Sequence, residues 1–251
     1  VRWLGQKPQH NCPMRGNMKP IKYLLVYLTL ALNACASTPG LIFETQSQYG
    51  PLYVEENEQG MRTLLFERHG ARQSVVKLGD PEHLELSYAR AVLTGVALAD
   101  EPRSILVLGL GGGTLPMLFR KLFPNARIQI AEINPAVINV AHRYFGVTEE
   151  AKLEVIEQDA RKTVEIAQDG QYDLIIADAF GSDNIPPHLT TVEFLKQLHR
   201  VTSKNGLVIA NIWRRPYNRL YDSMMLTYLE VFSEIRLLEV PSDVNTIVLA
   251  T

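Results

Sequence analysis

The pattern of apolar and polar positions divides the chain into two parts. From residue 104 onwards, short apolar runs alternate with segments whose apolar residues recur at helical spacing. The pattern predicts strands at 104–108, 127–132, 153–158, 172–177, 206–212, 234–240 and 245–250. It predicts helices at 115–122, 135–144, 160–167, 191–201 and 218–232. Strands separated by helices form parallel β-α-β units, so this part is predicted to be an α/β domain.

The last two predicted strands refine the fold class. Only residues 241–244 separate them, which is too short for a crossover, so the final strand is predicted to be antiparallel. Five parallel strands followed by a hairpin are typical of the Rossmann-like fold of AdoMet-dependent methyltransferases. We therefore expect a seven-stranded sheet in an α/β domain over residues 83–251, with a further helix at 84–98.

Before this domain the pattern changes. Residues 41–82 contain short runs rich in β-branched and aromatic residues, with Gly60, Gly70 and Gly79 between them, which predicts a small N-terminal β region. Residues 1–40 resemble a leader. A basic segment at 18–22 precedes a ten-residue apolar run at 23–32 and small residues at 33–37.

The leader-like segment bears on location. Its apolar run is shorter than the ~20 residues that a membrane-spanning helix needs. Residues 32–35, Leu-Asn-Ala-Cys, resemble a bacterial lipobox. Cys35 is then a candidate for lipidation, which would anchor the chain to a membrane as a cell-envelope lipoprotein. A coincidental apolar helix in a cytoplasmic protein is the alternative.

Composition excludes several classes of function. The chain is 46% hydrophobic and 21% charged, with a formal net charge of −2 and no long basic run, so we expect no nucleic-acid partner. Its two cysteines, Cys12 and Cys35, both precede the predicted fold. Neither a disulfide framework nor a metal site is therefore predicted.

A glycine-rich turn is the first candidate for chemistry. Gly109, Gly111, Gly112 and Gly113 follow the strand at 104–108 and precede a helix, whose N-terminus offers unpaired N–H groups to a ligand. This predicts a nucleotide or nucleoside pocket, although Thr114 stands where a dinucleotide-binding fingerprint has its third glycine. A strand–helix turn without a ligand is the alternative.

Three acidic residues stand at the ends of consecutive predicted strands: Glu132, Asp159 and Asp178. Carboxyl ends of parallel strands meet at one edge of a sheet, where ligands bind. Glu132 lies 23 residues after Gly109, close to the offset of a ribose-binding carboxylate. Asp159 suits an adenine amino group or a helix cap, and Asp178 a site in the cleft or a turn.

The loop after Asp178 is long for a compact domain, which predicts a substrate lid. Within it, His188 is a candidate base or a solvated side chain.

Taken together, these residues resemble the spermidine synthase (polyamine aminopropyltransferase) family, in its spermidine synthase-like branch. The resemblance covers about residues 48–250. It rests on Gln73, Tyr88, the glycine turn, and the segments around Glu132, Arg143, Asp159, Asp178 and Phe194.

The resemblance implies transfer of an aminopropyl group from decarboxylated AdoMet to a small amine, in polyamine biosynthesis, with no permanently bound cofactor. It implies that Asp178 is the catalytic base and that Tyr88 and Asp183 bind the amine. The nucleoside co-substrate would contact Gln73, Gly109, Gly111, Gly113, Glu132, Asp159 and Ala160.

The sequence departs from the family at three positions. Gly112 replaces an aspartate that reads the propylamine of the donor, Gly181 replaces a second aspartate after the base, and Ala89 replaces a histidine. Two other functions therefore stay open, namely a methyltransferase that uses intact AdoMet and a non-catalytic envelope lipoprotein with the same fold. Whether the chain forms a homodimer is open too.

Overall fold

A computed structural model describes residues 40–179, 185–241 and 243–251 of this protein, and these residues form two β-sheets with flanking helices. Residues 1–39 of the leader-like segment lie outside them, with Cys12 and Cys35, as do Gly181 and Asp183, so the predictions made for them stay predictions. The described residues all belong to one compact unit.

The first sheet is antiparallel and consists of four strands in sequence order, β1 (Gly40–Ser47), β2 (Gly50–Glu56), β3 (Met61–Leu65) and β4 (Arg72–Lys77). It is the predicted N-terminal β region. The sequence pattern did not single out β1, because this strand lies at the sheet edge and none of its residues is fully buried.

The second sheet has seven strands in the order β10-β11-β9-β8-β5-β6-β7. Its members are β5 (Ser104–Leu108), β6 (Arg127–Glu132), β7 (Leu153–Glu157), β8 (Tyr172–Ala177), β9 (Thr202–Trp213), β10 (Ile235–Glu239) and β11 (Asn245–Ala250). Five neighbouring strands, β9, β8, β5, β6 and β7, are parallel. Strand β11 is antiparallel to both β9 and β10. The predicted fold class and terminal hairpin are confirmed.

Helices cover both faces of this sheet. They are α1 (Ser87–Val96), α2 (Thr114–Leu122), α3 (Pro135–Tyr144), α4 (Ala160–Ile166), α5 (Val192–Val201) and α6 (Tyr221–Val231), with a 3-10 turn at Pro187–Leu189. Side chains alternate between two cores, because successive residues of a strand point to opposite faces. Most boundaries agree with the prediction within three residues.

One boundary was predicted too late. Strand β9 begins at Thr202 instead of residue 206, because Thr202 already pairs with Tyr172 of β8. Residues 202–205 are polar and at least partly exposed, so hydrophobic patterning does not reveal them.

The strand order has a consequence for binding. After β5 the chain runs outward through β6 and β7, and it then returns to the other side of β5 at β8. In open α/β sheets, ligands bind outside the carboxyl ends of the strands at such a reversal.

No helix within the described ranges is long and apolar enough to cross a membrane.

Candidate active site

A cavity of about 640 Å³ opens at the carboxyl ends of β5, β6, β8 and β9. Strands β2 and β4 of the first sheet contribute to its wall, through Leu52, Gln73 and Ser74 among others. Its size lies in the usual range for small-molecule sites. Both sheets therefore shape one site, which sits where the reversal of strand order predicts it.

The glycine turn brings β5 close to the end of β8. Gly109 adopts a φ of +100°, and a Cβ atom on it would lie 2.4 Å from the backbone oxygen of Asp178. Glycine is thus required here both for its conformation and for its lack of a side chain. Gly109 and Gly111 line the cavity.

Gly113 has a different position from the other two predicted glycines. It is the N-cap of α2, with a φ of +76°, and a Cβ on it would meet Cγ2 of Val147 at 2.2 Å. It is absent from the residues that line the described part of the cavity. The structure therefore gives Gly113 a packing role at the start of the helix.

Glu132 lies at the end of β6 with both carboxylate oxygens facing backbone donors. Its Oε2 accepts a hydrogen bond from the N–H of Leu110 at 3.0 Å, and Oε1 accepts one from Asn134 at 2.8 Å. Burial raises the pKa of Glu132, while these backbone N–H groups oppose the rise. Each oxygen keeps a lone pair, so the carboxylate can also accept hydrogen bonds from a ligand in the cavity.

Asp159 has the capping role that the sequence left open, and adenine binding by it stays a prediction. Its Oδ1 caps α4 by accepting hydrogen bonds from the N–H groups of Arg161 and Lys162, at 2.9 and 3.2 Å. Its Oδ2 lies 2.9 Å from Nε2 of His188. Both Asp159 and Ala160 line the cavity. The structure thus places His188 beside the predicted adenine-binding carboxylate, away from Asp178.

Asp178 follows β8 and lines the other end of the cavity, where it is partly buried. Its Oδ1 accepts a hydrogen bond from Nδ2 of Asn211 at 2.9 Å, and it is also hydrogen-bonded to Tyr88. Burial raises the pKa of Asp178 to about 6, and the bonds from Asn211 and Tyr88 limit that rise. A base of this kind is ionised at neutral pH and still binds a proton well.

Tyr88 of α1 is the second polar group at this end. Burial and the negative charge of Asp178 raise the pKa of its hydroxyl well above the usual value. The hydroxyl therefore stays protonated and donates its hydrogen bond to Asp178. The structure brings these two predicted residues together.

Gln73 and Gly112 differ in their position relative to the cavity, because Gly112 is buried and absent from the described cavity wall. Gln73 lines the cavity, and its Nε2 lies 3.4 Å from the oxygen of Ala71. A Cβ on Gly112 would lie 2.9 Å from both the ring of Phe145 and Oγ of Ser74. A side chain at position 112 would thus require its neighbours to move.

Among the polar residues of the cavity wall that sequence reasoning left without a role, three lie at the end that holds Asp178: Asn211, Asp243 and Asn245. Nδ2 of Asn245 donates to Oδ1 of Asn211 at 2.7 Å, and Asp243 lines the cavity and acts electrostatically on Tyr88. A buried asparagine that opens an apolar strand is a usable signal. Its partner was not predictable, because it comes from another strand.

The cavity is predominantly acidic. Its described wall contains two basic residues, Arg72 and His188. It contains four carboxylates: Glu132, Asp159, Asp178 and Asp243. No cluster in the described ranges is arranged to hold a metal ion. Such a cavity favours a positively charged small molecule over an anionic one.

Fold and site together define a class, that of α/β proteins with the methyltransferase-like topology and an acidic cavity at the carboxyl ends of the parallel strands. The model of the spermine/spermidine synthase domain matches residues 85–230, which is more than half of the chain. The chain therefore belongs to the spermine/spermidine synthase family.

Individual relatives agree with this. A polyamine aminopropyltransferase from Vibrio vulnificus is 32% identical over 233 residues, which cover 90% of this chain and 77% of the relative. One from Chromobacterium violaceum is 35% identical over 190 residues, covering 75% and 71%. A probable spermidine synthase from Corynebacterium glutamicum has the same fold, with a TM-score of 0.74 at 23% identity over 83% of this chain and 79% of that one.

Methyltransferases are also similar. The eEF1A lysine and N-terminal methyltransferase of Xenopus laevis is 28% identical over 184 residues, which cover 67% of this chain and 26% of that protein. The structure of human methyltransferase-like protein 13 in complex with SAH has a TM-score of 0.60 at 25% identity, covering 66% of this chain and 82% of that one. The methyltransferase-like part of the fold prediction is thereby confirmed.

Proposed function

We propose that this protein transfers an aminopropyl group from decarboxylated AdoMet to a small amine, with Asp178 as the general base. The observation that carries the proposal is the partly buried Asp178, held by Tyr88 and Asn211 at the edge of an acidic cavity, with a pKa of about 6. Membership of the spermine/spermidine synthase family supports it.

The proposed reaction uses the two ends of the cavity differently. The nucleoside lies at the glycine turn, with its ribose hydroxyls on Glu132 and its adenine near Asp159. The amine nitrogen attacks the carbon next to the sulfonium, a C–N bond forms, and the C–S bond breaks. Methylthioadenosine leaves with the electron pair on sulfur, and the proton lost from nitrogen passes to the Asp178 carboxylate.

Asp243 extends the proposal to the acceptor. It lines the cavity near Tyr88 and adds a negative charge at the end of the site that holds Asp178. We expect Asp243→Asn to raise the KM for a diamine about 3- to 10-fold with little change in kcat, because it removes attraction for the distal ammonium. Steady-state kinetics with a diamine and a monoamine test this. An equal effect on both acceptors would contradict it.

Calorimetry of the full chain with three ligands tests the proposal as a whole: methylthioadenosine, AdoMet and decarboxylated AdoMet. We expect the decarboxylated donor to bind more tightly than AdoMet, because the cavity disfavours an additional carboxylate. A clear preference for AdoMet would contradict aminopropyl transfer.

A methyltransferase that uses AdoMet is the second candidate. Gly112 leaves no carboxylate in the glycine turn, and Arg72 on the cavity wall offers a cation to a donor carboxylate. The similar methyltransferases support this candidate as well. The preference for one donor decides between the two candidates, and failure of all three ligands to bind would favour a non-catalytic protein.

The location of the protein is a separate proposal. The lipobox-like residues 32–35 support lipidation of Cys35 and a place in the cell envelope. Metabolic labelling with a fatty-acid probe should mark the natural chain but not Cys35→Ser. A mature chain that retains residues 1–34 would contradict lipidation and favour the cytoplasm.

A further inference from the structure

A row of polar side chains crosses three neighbouring strands beside the cavity. Asp178 follows β8, Asn211 lies near the end of β9, and Asn245 begins β11, and these strands are adjacent in the sheet. Ala177 pairs with Ala210 and Asn211 pairs with Ile247, so the register places the three side chains on the same face. Asn211 and Asn245 are 4% and 6% exposed, which removes water as their alternative partner.

The hydrogen bonds of the row have a direction. Asn245 donates through Nδ2 to Oδ1 of Asn211 at 2.7 Å, and Asn211 donates through Nδ2 to Oδ1 of Asp178 at 2.9 Å. If the Asn211 amide turned over, its oxygen would face the carboxylate and its NH₂ would face the NH₂ of Asn245. Both contacts would then fail, and buried polar groups left without partners are unfavourable.

We infer that Asn245 is a positioning residue for the general base, because it fixes the orientation in which the Asn211 amide donates to Asp178. The inference rests on the proposed function, in which Asp178 takes the proton of the amine. Asn245 donates its bond to Asn211, so its influence on the carboxylate passes through that amide. The Asn211 amide helps to keep the partly buried carboxylate of Asp178 ionised and holds one of its oxygens in place.

Other groups around Asp178 contribute to its ionisation, and a change at position 245 leaves their identities unaltered. The hydroxyl of Tyr88 reaches it from α1, and Asp243 lies before β11. The remaining titratable groups of the described cavity wall belong to the first sheet, to other strand ends and to the loop before α5: Tyr49, Arg72, Glu132, Asp159 and His188. All variants compared in the test keep these other titratable groups, so a difference between their titrations reports the substitution itself.

The experiment measures the ionisation of Asp178 directly in the ligand-free full chain. The infrared band of the protonated carboxyl group is followed against pH and assigned by its loss in Asp178→Asn. We expect Asn245→Leu to raise the midpoint of this titration by about 0.5–1 pH unit, the equivalent of one net hydrogen bond. The matched control is Thr246→Val, a buried residue on the opposite face of β11, which should leave the midpoint unchanged.

A double-mutant cycle separates positioning from a general structural effect. In an Asn211→Leu background, the further change Asn245→Leu should leave the midpoint where it is, because the amide that transmits the effect is gone. An unchanged midpoint in the single variant, or an equal shift in both backgrounds, would overturn the inference.

A second variant covers failure of Asn245→Leu to fold. Asn245→Asp keeps the side-chain volume but accepts hydrogen bonds, so it should turn the Asn211 amide and raise the midpoint. If Asn245→Asp also raises the midpoint of the Asp178 titration in the Asn211→Leu background, that part of the rise is due to the charge of the introduced aspartate. A rise of the same size in both backgrounds would contradict the inference. The titration needs no substrate, so it tests the inference separately from the proposed function. The proposed function is refuted by a different result, namely full turnover by Asp178→Asn.

Discussion

The two ends of the cavity are built in different ways. At the end proposed to bind the nucleoside (the nucleoside end), Glu132 and Asp159 accept hydrogen bonds from backbone N–H groups, mostly from residues two or three positions away in the chain. At the end proposed to carry out group transfer (the transfer end), Asp178 is held by side chains of other elements, and the bonds to and from Asn211 join residues 33 and 34 positions apart. The nucleoside end depends on local backbone geometry, whereas the transfer end depends on tertiary packing.

This difference predicts that substitutions separate binding from chemistry. A change at the nucleoside end should act on donor affinity, and one at the transfer end should act on the rate. If substitutions at either end changed donor affinity and reaction rate together, this difference between the two ends would be contradicted.

The largest effect is expected for Asp178→Asn. It keeps an oxygen for the Asn211 amide but removes the base, so kcat should fall about 10²–10⁴-fold. Calorimetry should find the affinity for methylthioadenosine unchanged, because the substitution lies at the transfer end. Turnover close to that of the natural chain would refute the role of Asp178.

The sequence predicted the nucleoside end better than the transfer end for the same physical reason. Glycine turns, strand ends and helix caps are local, so Gly109, Glu132 and Asp159 could be placed from their spacing alone. Which side chains meet Asp178 depends on how α1, β9 and β11 pack. Resemblance to a family pointed to Tyr88. The position of Asn245 at the start of an apolar strand could have drawn attention to it, but not to its partner Asn211.

The fold was predictable to a similar extent. Apolar strands alternating with amphipathic helices determine the α/β class, and the short connection before β11 determines its direction. The exposed edge strand β1 and the polar start of β9 were missed, because pairing there buries little apolar surface.

A second effect of Asp178→Asn concerns stability. Burial raises the folded-state pKa from 3.8 to about 6, so the folded chain binds more protons than the unfolded chain between these values. Stability contributed by this group therefore falls as pH rises from about 4 to 6, in total by about 3 kcal/mol. The amide introduced by the substitution does not titrate, so the variant should gain stability relative to the natural chain by up to this amount at pH 8.

Urea denaturation of both chains across this pH range measures the difference. The comparison cancels the titration of all other groups, provided that they behave alike in the two chains. A difference in unfolding free energy that stays constant with pH would show that Asp178 is not held in a destabilising ionised state.

At the nucleoside end, Glu132→Gln should give the next largest effect. The amide NH₂ would face a backbone N–H where a carboxylate oxygen now accepts, and the charge-assisted bonds to a ribose would be lost. We expect methylthioadenosine to bind about 10- to 100-fold more weakly, with kcat at saturating donor changed much less.

Asp173→Asn is its matched control. Asp173 also accepts hydrogen bonds from two backbone N–H groups, those of Arg103 and Ser104, but at the opposite edge of the sheet. It should lower stability without changing affinity. An equal loss of affinity in both variants would assign the effect of Glu132 to folding instead of binding.

The smallest effect is expected for His188→Ala, which tests how far the loop before α5 contributes to the nucleoside end. The pair between His188 and Asp159 is partly exposed, and such pairs contribute about 0.2–1 kcal/mol. Methylthioadenosine should therefore bind only about 2- to 5-fold more weakly, because the guanidinium of Arg161 still donates to the backbone oxygen of residue 188 and holds the loop. His83→Ala, outside the cavity wall, should leave affinity unaltered. Tighter binding by His188→Ala would mean that the imidazole competes with adenine for Asp159, and it would reverse the role of this contact.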